Sequence, residues 1–169
     1  AGCSGCHSGR FQTDQSFYAI AIPQIGPGKA ARFENHHRDV GRMRVTGQAG
    51  DAYKFRTPSL RNIASTAPYG HSGAYATLEA VVRHHLDPIA GLRGYDRGQA
   101  VLPNLEGSQD WAIVNSADEV NAIAAANELS PTRLNDEEVE NILAFLNALT
   151  DETALIGRLG VPKSVPSGL

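Results

Sequence analysis

The chain has 169 residues, 41% of them hydrophobic and 20% charged, with a formal net charge of −3. That length suits one domain and can bury a core without disulfide staples, and the composition excludes a disordered or collagen-like chain. Interspersed charges give no basic footprint for nucleic acid, no apolar run reaches the ~18 residues of a membrane span, and two cysteines cannot build a disulfide scaffold.

Aromatic residues make up only 7%, against 17 glycines and 9 prolines. Long loops are expected, with something other than protein filling the middle. That filler is announced at once by Cys3-Ser4-Gly5-Cys6-His7, the C-x-x-C-H pattern of covalent haem attachment. Two thiols a short turn apart reach the two vinyl groups on one porphyrin edge, and the following imidazole takes the proximal iron position. A structural zinc site would want four ligands and a further cysteine pair, and a redox C-x-x-C would sit beside a βαβ pattern; neither is present in the sequence. The motif begins two residues into the sequence with no charged or apolar leader, as expected of a trimmed mature protein or the back half of a longer one. Haem joined to paired cysteines points to a bacterial periplasm.

Residues 8–58, with Gly26-Pro27-Gly28, His36-His37 and the glycines from 47 to 50, read as short helical turns and loops wrapped around a cofactor. From Thr77, an N-cap candidate, Leu78, Val81, Val82 and His85 recur at helical spacing on one stripe. A second helix is predicted over 117–127, with Ser116 and Glu119 at capping-box spacing. A third opens at Asn135, boxed by Glu138, and turns Val139, Ile142, Leu143, Leu146 and Leu149 to one face. No strand pair or internal repeat stands out. The fold class is therefore all-α, a cytochrome c-like haem domain with long loops over 1–156. An extended C-terminal arm follows over 157–169.

The sixth iron position has several candidates: Met43 and the histidines at 36, 37, 71, 84 and 85. His85 ranks first, because it completes an aliphatic stripe and a buried imidazole needs a partner that iron can supply. His84 falls about 100° away and reads as an edge or surface residue. Met43 lies between two arginines, and His36 and His37 sit among polar residues.

Three segments in order, Phe55-Arg56-Thr57-Pro58-Ser59-Leu60-Arg61-Asn62, Thr66-Ala67-Pro68-Tyr69-Gly70-His71-Ser72-Gly73 and Thr77-Leu78-Glu79, resemble the bacterial di-haem cytochrome c peroxidases and their MauG relatives. The Asp39–Arg42 segment and the Leu134–Val139 helix start fit the same family. The resemblance covers most of residues 3–150 and maps onto the C-terminal, electron-transfer haem domain. It implies that Cys3, Cys6 and His7 attach and ligate the haem. The distal ligand falls fourteen residues after His71, at His85, where these peroxidases usually have Met and MauG-like members Tyr. It further implies that Arg56 partners a haem propionate, with Arg61 as a second candidate, and that His71 hydrogen-bonds a propionate or a nearby carbonyl. Calcium is implied at the backbone carbonyls of Thr66 and Pro68, where hard oxygen donors suit it. Ser72 departs from the family's usual Asp. Trp111 reads as core packing.

The function expected from the resemblance is relay of electrons to a peroxide-activating haem in a second haem domain or chain. A small cytochrome, a cupredoxin or a substrate protein would be the redox partner, and hydrogen peroxide would react at the partner haem. A stand-alone monohaem electron carrier is the alternative.

Overall fold

A computed structural model describes residues 2–27, 31–103 and 105–155. The predicted C-terminal arm lies outside the described residues. Most regular structure is helical, and the longer helices begin where local chemistry satisfies their free N–H groups.

After a 3-10 turn at Cys3–Gly5 come β1 (Phe17–Tyr18), α1 (Ala31–Glu34), α2 (Met43–Thr46) and β2 (Phe55–Arg56). β1 and β2 form a two-residue antiparallel ladder with Phe17 opposite Arg56 and Tyr18 opposite Phe55. This ladder corrects the sequence reading, which saw no strand pair; two residues are too few to show alternation.

α3 (Leu78–Leu86) starts where Thr77 Oγ1 accepts the Ala80 N–H at 3.2 Å. Its last turn carries Arg83, His84 and His85, and the Arg83 cation there complements the helix dipole. Asp87 ends α3 and caps α4 (Pro88–Arg93), accepting the Ala90 N–H at 3.1 Å. Pro88 fixes φ at the first helical position, so the chain turns a sharp corner between the two helices.

α5 (Ala117–Ala125) ends two residues before its predicted limit. Ser116 Oγ accepts the Glu119 N–H at 3.4 Å, while the Glu119 carboxylate is engaged by Arg38 at 2.8 Å. α6 (Asp136–Ala148) has the reciprocal box: Asn135 Oδ1 accepts from Glu138 N at 2.9 Å, and Glu138 Oε2 accepts from Asn135 N at 2.8 Å. Val139 and Leu146 on its inner face are buried, Ile142, Leu143 and Leu149 half-buried. α6 packs on α3, and α7 (Glu152–Leu155) follows it.

Two apolar clusters make the core. Ile22, Ile25, Tyr69, Ala74 and Tyr75 form one, with Trp111 packed against it; Ala21, Leu92, Ile113 and Ile123 form the other. Each large apolar side chain so buried contributes about 1.5–3 kcal/mol. The irregular stretch 19–25 runs between them and is buried except at Ile20, which is half-buried. A buried loop must have its polar groups satisfied. Here the Ala19 N–H donates to Glu128 Oε2 at 2.8 Å, Ser72 Oγ donates to the Pro23 carbonyl at 2.9 Å, and Gly26 N–H donates to the Asp110 carbonyl at 2.9 Å. Gln24 holds Asp39 in both directions, Nε2 to its carbonyl at 2.7 Å and Oε1 from its N–H at 2.9 Å.

Candidate haem site

Cys3, Cys6 and His7 lie on a single turn. The His7 N–H donates to the Cys3 carbonyl at 2.8 Å, closing the turn that carries both cysteines. Both cysteines are free thiols, Cys3 exposed and Cys6 half-buried. Beside Cys6, the Tyr18 hydroxyl donates to Asp14 Oδ2 at 2.8 Å. That bond, with Cys6 close by, pushes the Tyr18 pKa up to about 12.

His7 Nδ1 lies 3.2 Å from the Gln12 carbonyl. A carbonyl can only accept, so Nδ1 carries the proton and Nε2 keeps its lone pair. His85 repeats the arrangement: its Nδ1 lies 2.7 Å from the Val81 carbonyl one turn earlier in α3, which leaves Nε2 as the free donor atom. Burial pushes the His85 pKa down, and the charge that His7 can carry pushes it the same way. The two imidazoles therefore lie within electrostatic reach of each other, though they are 78 positions apart in sequence.

A metal-bound histidine with its second ring nitrogen held by a carbonyl has its tautomer and orientation fixed. Two such imidazoles, with a cysteine pair on the turn of one of them, fit a covalently attached haem in donor chemistry. Among the described residues no group of three or more His, Cys, Asp or Glu converges as for a bare metal ion.

The remaining candidates lie elsewhere. His71 Nε2 pairs with Asp39 Oδ2 at 2.9 Å, and its ring stacks on Phe55 at 3.6 Å between centroids. That contact holds the Asp39 carboxyl below its ordinary range, against the opposing effect of burial. Asp39 and His71 line a cavity of about 280 Å³ with Gln24, Pro27, His37 and Ser72. Arg56 is exposed on β2, with its guanidinium donating to Gln15 Oε1. Arg61 pairs with Asp151 at 3.3 Å. Thr66 and Pro68 are exposed after a 3-10 turn, and Thr66 Oγ1 donates to the Ile63 carbonyl at 3.0 Å. Met43 opens α2 and is half-buried, and the Arg97 guanidinium lies over Trp111 at 5.3 Å.

One reading is corrected. His84 is no surface residue: it is 2% exposed, because the 19–25 segment and α4 cover the second side of α3. Its Nε2 lies 2.7 Å from the Ile20 carbonyl and its Nδ1 2.8 Å from the Tyr75 hydroxyl. Burial lowers its pKa to about 4, so the ring is neutral. Periodicity within α3 carries no sign of this; the Asp87-Pro88 start of α4 is the one local hint that another helix folds back beside it.

No helix among the described residues is long and apolar enough to cross a membrane. No family model matches the chain. The cytochrome-c peroxidase IdrP1 of Denitromonas iodatirespirans is 30% identical over 176 residues, covering 92% of this chain and 39% of that protein. The methylamine utilization protein MauG of Methylorubrum extorquens is 30% identical over 159 residues, covering 92% of this chain and 33% of that protein. The chain thus spans between a third and two fifths of the length of these relatives. A solved MauG-like protein associated with microbial copper homeostasis superposes with a TM-score of 0.55 at 29% identity, covering 89% of this chain and 43% of its own. The mostly helical fold agrees with these likenesses, and the chain belongs to the bacterial cytochrome c peroxidase/MauG family.

Proposed function

We propose that this chain is the electron-transfer haem domain, over residues 1–156, of a di-haem peroxidase or MauG-type oxidoreductase working in the periplasm. Cys3 and Cys6 hold the haem by thioether bonds, His7 is its proximal ligand and His85 its distal ligand. When bound, the haem supplies one-electron exchange at iron.

The residues of the chain determine which chemistry that iron is left with. Peroxide activation needs an open iron position and a placed acid or base. His85 presents a free Nε2 from a ring tied to its own helix, so it favours a closed sixth position and a relay role. Peroxide then reacts at a second haem, in a domain or chain outside this one, and electrons arrive from a small cytochrome, a cupredoxin or a substrate protein. The observation that carries this reading is the pair of imidazoles, His7 beside the cysteine pair and His85 on α3, each with its Nδ1 held by a main-chain carbonyl and its Nε2 left free.

Arg56 is assigned to a haem propionate on the family resemblance, while His71, expected on a propionate or a carbonyl, is engaged by Asp39. Calcium on the Thr66 and Pro68 carbonyls would need the rest of its shell from outside this chain.

The test is peroxide reduction by the haem-loaded chain, alone and together with a peroxidase-type haem domain. Slow turnover alone, rising when the second haem is supplied, is expected. Rapid turnover by the chain alone would overturn the relay role, and no gain from a second haem would favour a stand-alone carrier.

A further inference from the structure

We infer that Tyr75, His84 and Gly91 form a buried clamp that sets the orientation of the His85 imidazole, with Tyr75 and His84 as positioning residues for the axial ligand. The inference rests on the reading of His85 as that ligand.

His85 is tethered within its own helix, since Val81 and His85 both belong to α3. That bond fixes the ring relative to α3, while the seating of α3 itself is set by the segments it packs against. The neighbouring residue supplies part of that seating. His84 Nε2 donates to the Ile20 carbonyl at 2.7 Å, so Nδ1 is left as the acceptor for the Tyr75 hydroxyl at 2.8 Å. One ring is thereby held by two segments outside α3, the buried 19–25 stretch and the loop before the helix. An imidazole or hydroxyl deprived of its partner at this depth is costly, so the two bonds stand or fall together.

Tyr75 is itself fixed. Its backbone exchanges hydrogen bonds with Tyr69 at 2.7 and 3.0 Å. Its ring meets Tyr95 edge-on at 5.8 Å, and the Tyr95 hydroxyl donates to the Ala74 carbonyl at 2.6 Å. The His84 and His85 rings meet edge-on at 6.2 Å, so movement of one backbone position carries both rings.

Gly91 leaves the room this needs. A Cβ there would stand 2.5 Å from His84 Nδ1 and 3.4 Å from the Tyr75 hydroxyl. Gly91 lies in the interior of α4, where glycine weakens a helix relative to alanine, so the absent side chain serves the contact with His84.

The consequence for the site is directional. Outer groups that fix a ligating histidine tune both its orientation and its basicity toward the metal. The clamp would therefore be read in the iron's spectrum and potential.

The experiment uses the haem-loaded chain in four forms: parent, Tyr75→Phe, Gly91→Ala, and Leu146→Ala as a core control on α6. Low-spin ferric EPR g-values, midpoint potential and denaturant midpoint are measured for each. Tyr75→Phe and Gly91→Ala should shift the g-values and the potential and speed cyanide binding severalfold. Leu146→Ala should lower the denaturant midpoint while leaving the g-values and potential at the parent's. Should Gly91→Ala fail to fold, Tyr75→Phe decides alone. The clamp is overturned if Tyr75→Phe keeps the parent's g-values and potential. A parent spectrum lacking bis-imidazole character would instead overturn the ligand assignment beneath it, before any variant is compared.

Discussion

His7 and His85 share one arrangement: each has Nδ1 against a main-chain carbonyl, Gln12 for one at 3.2 Å and Val81 for the other at 2.7 Å. In both rings the atom left to coordinate is Nε2, and in both the protonated nitrogen is already committed. Neither ring has to change tautomer to coordinate, so the donor pair is preorganised for ligation.

Replacing His85 is the direct consequence to check. His85→Ala in the haem-loaded protein should convert a low-spin absorption and EPR spectrum to high-spin and open the iron to cyanide. His85→Met should restore low spin at a higher midpoint potential, since a thioether favours ferrous iron relative to an imidazole. A His85→Ala spectrum identical to the parent's would remove this residue from the ligand set.

The attachment turn makes a separate prediction. Cys3→Ala or Cys6→Ala should leave haem attached through one thioether, and the double variant should lose it to acidic organic solvent. Haem staining on a denaturing gel, before and after extraction, distinguishes the three outcomes.

Acid should weaken the fold partly through Asp39. The hydrogen bond from His71 holds its carboxyl below the ordinary 3.8. A carboxyl depressed in the folded state adds stability above its unfolded value and loses it as pH falls through the folded one. The loss should therefore begin near pH 4 and deepen below it. Asp39→Asn should flatten that acidic limb in urea unfolding followed from about pH 6 to pH 3; parallel limbs in the two proteins would show that the pair contributes nothing.

Removing the cap of α6 should be felt without touching the site. Asn135→Ala deletes one half of a reciprocal pair of hydrogen bonds and should cost about 1 kcal/mol in denaturant unfolding. The low-spin spectrum should stay as it was.

What could be read from residues alone follows the range of the interactions involved. The starts of α3, α5 and α6 were legible because a cap is completed within three or four residues. The place of His85 on α3 was legible because its stripe repeats along one helix. His84 was misjudged because its surroundings come from Ile20, Tyr75 and Gly91, and nothing in the local pattern of α3 says that a second side of the helix is covered. The ladder of Phe17–Tyr18 with Phe55–Arg56 was invisible for a related reason: its partners lie 37 to 39 positions apart and its strands are too short for a period. α4 was missed although Asp87 followed by Pro88 is a recognisable start signal.

The stretch from Ala19 to Gly26 threads the interior, tied to Glu128, His84, Ser72 and Asp110. Its walls are thus supplied by residues up to 109 positions later in the chain. That interior can close only once the chain through Glu128, past the end of α5, is in place.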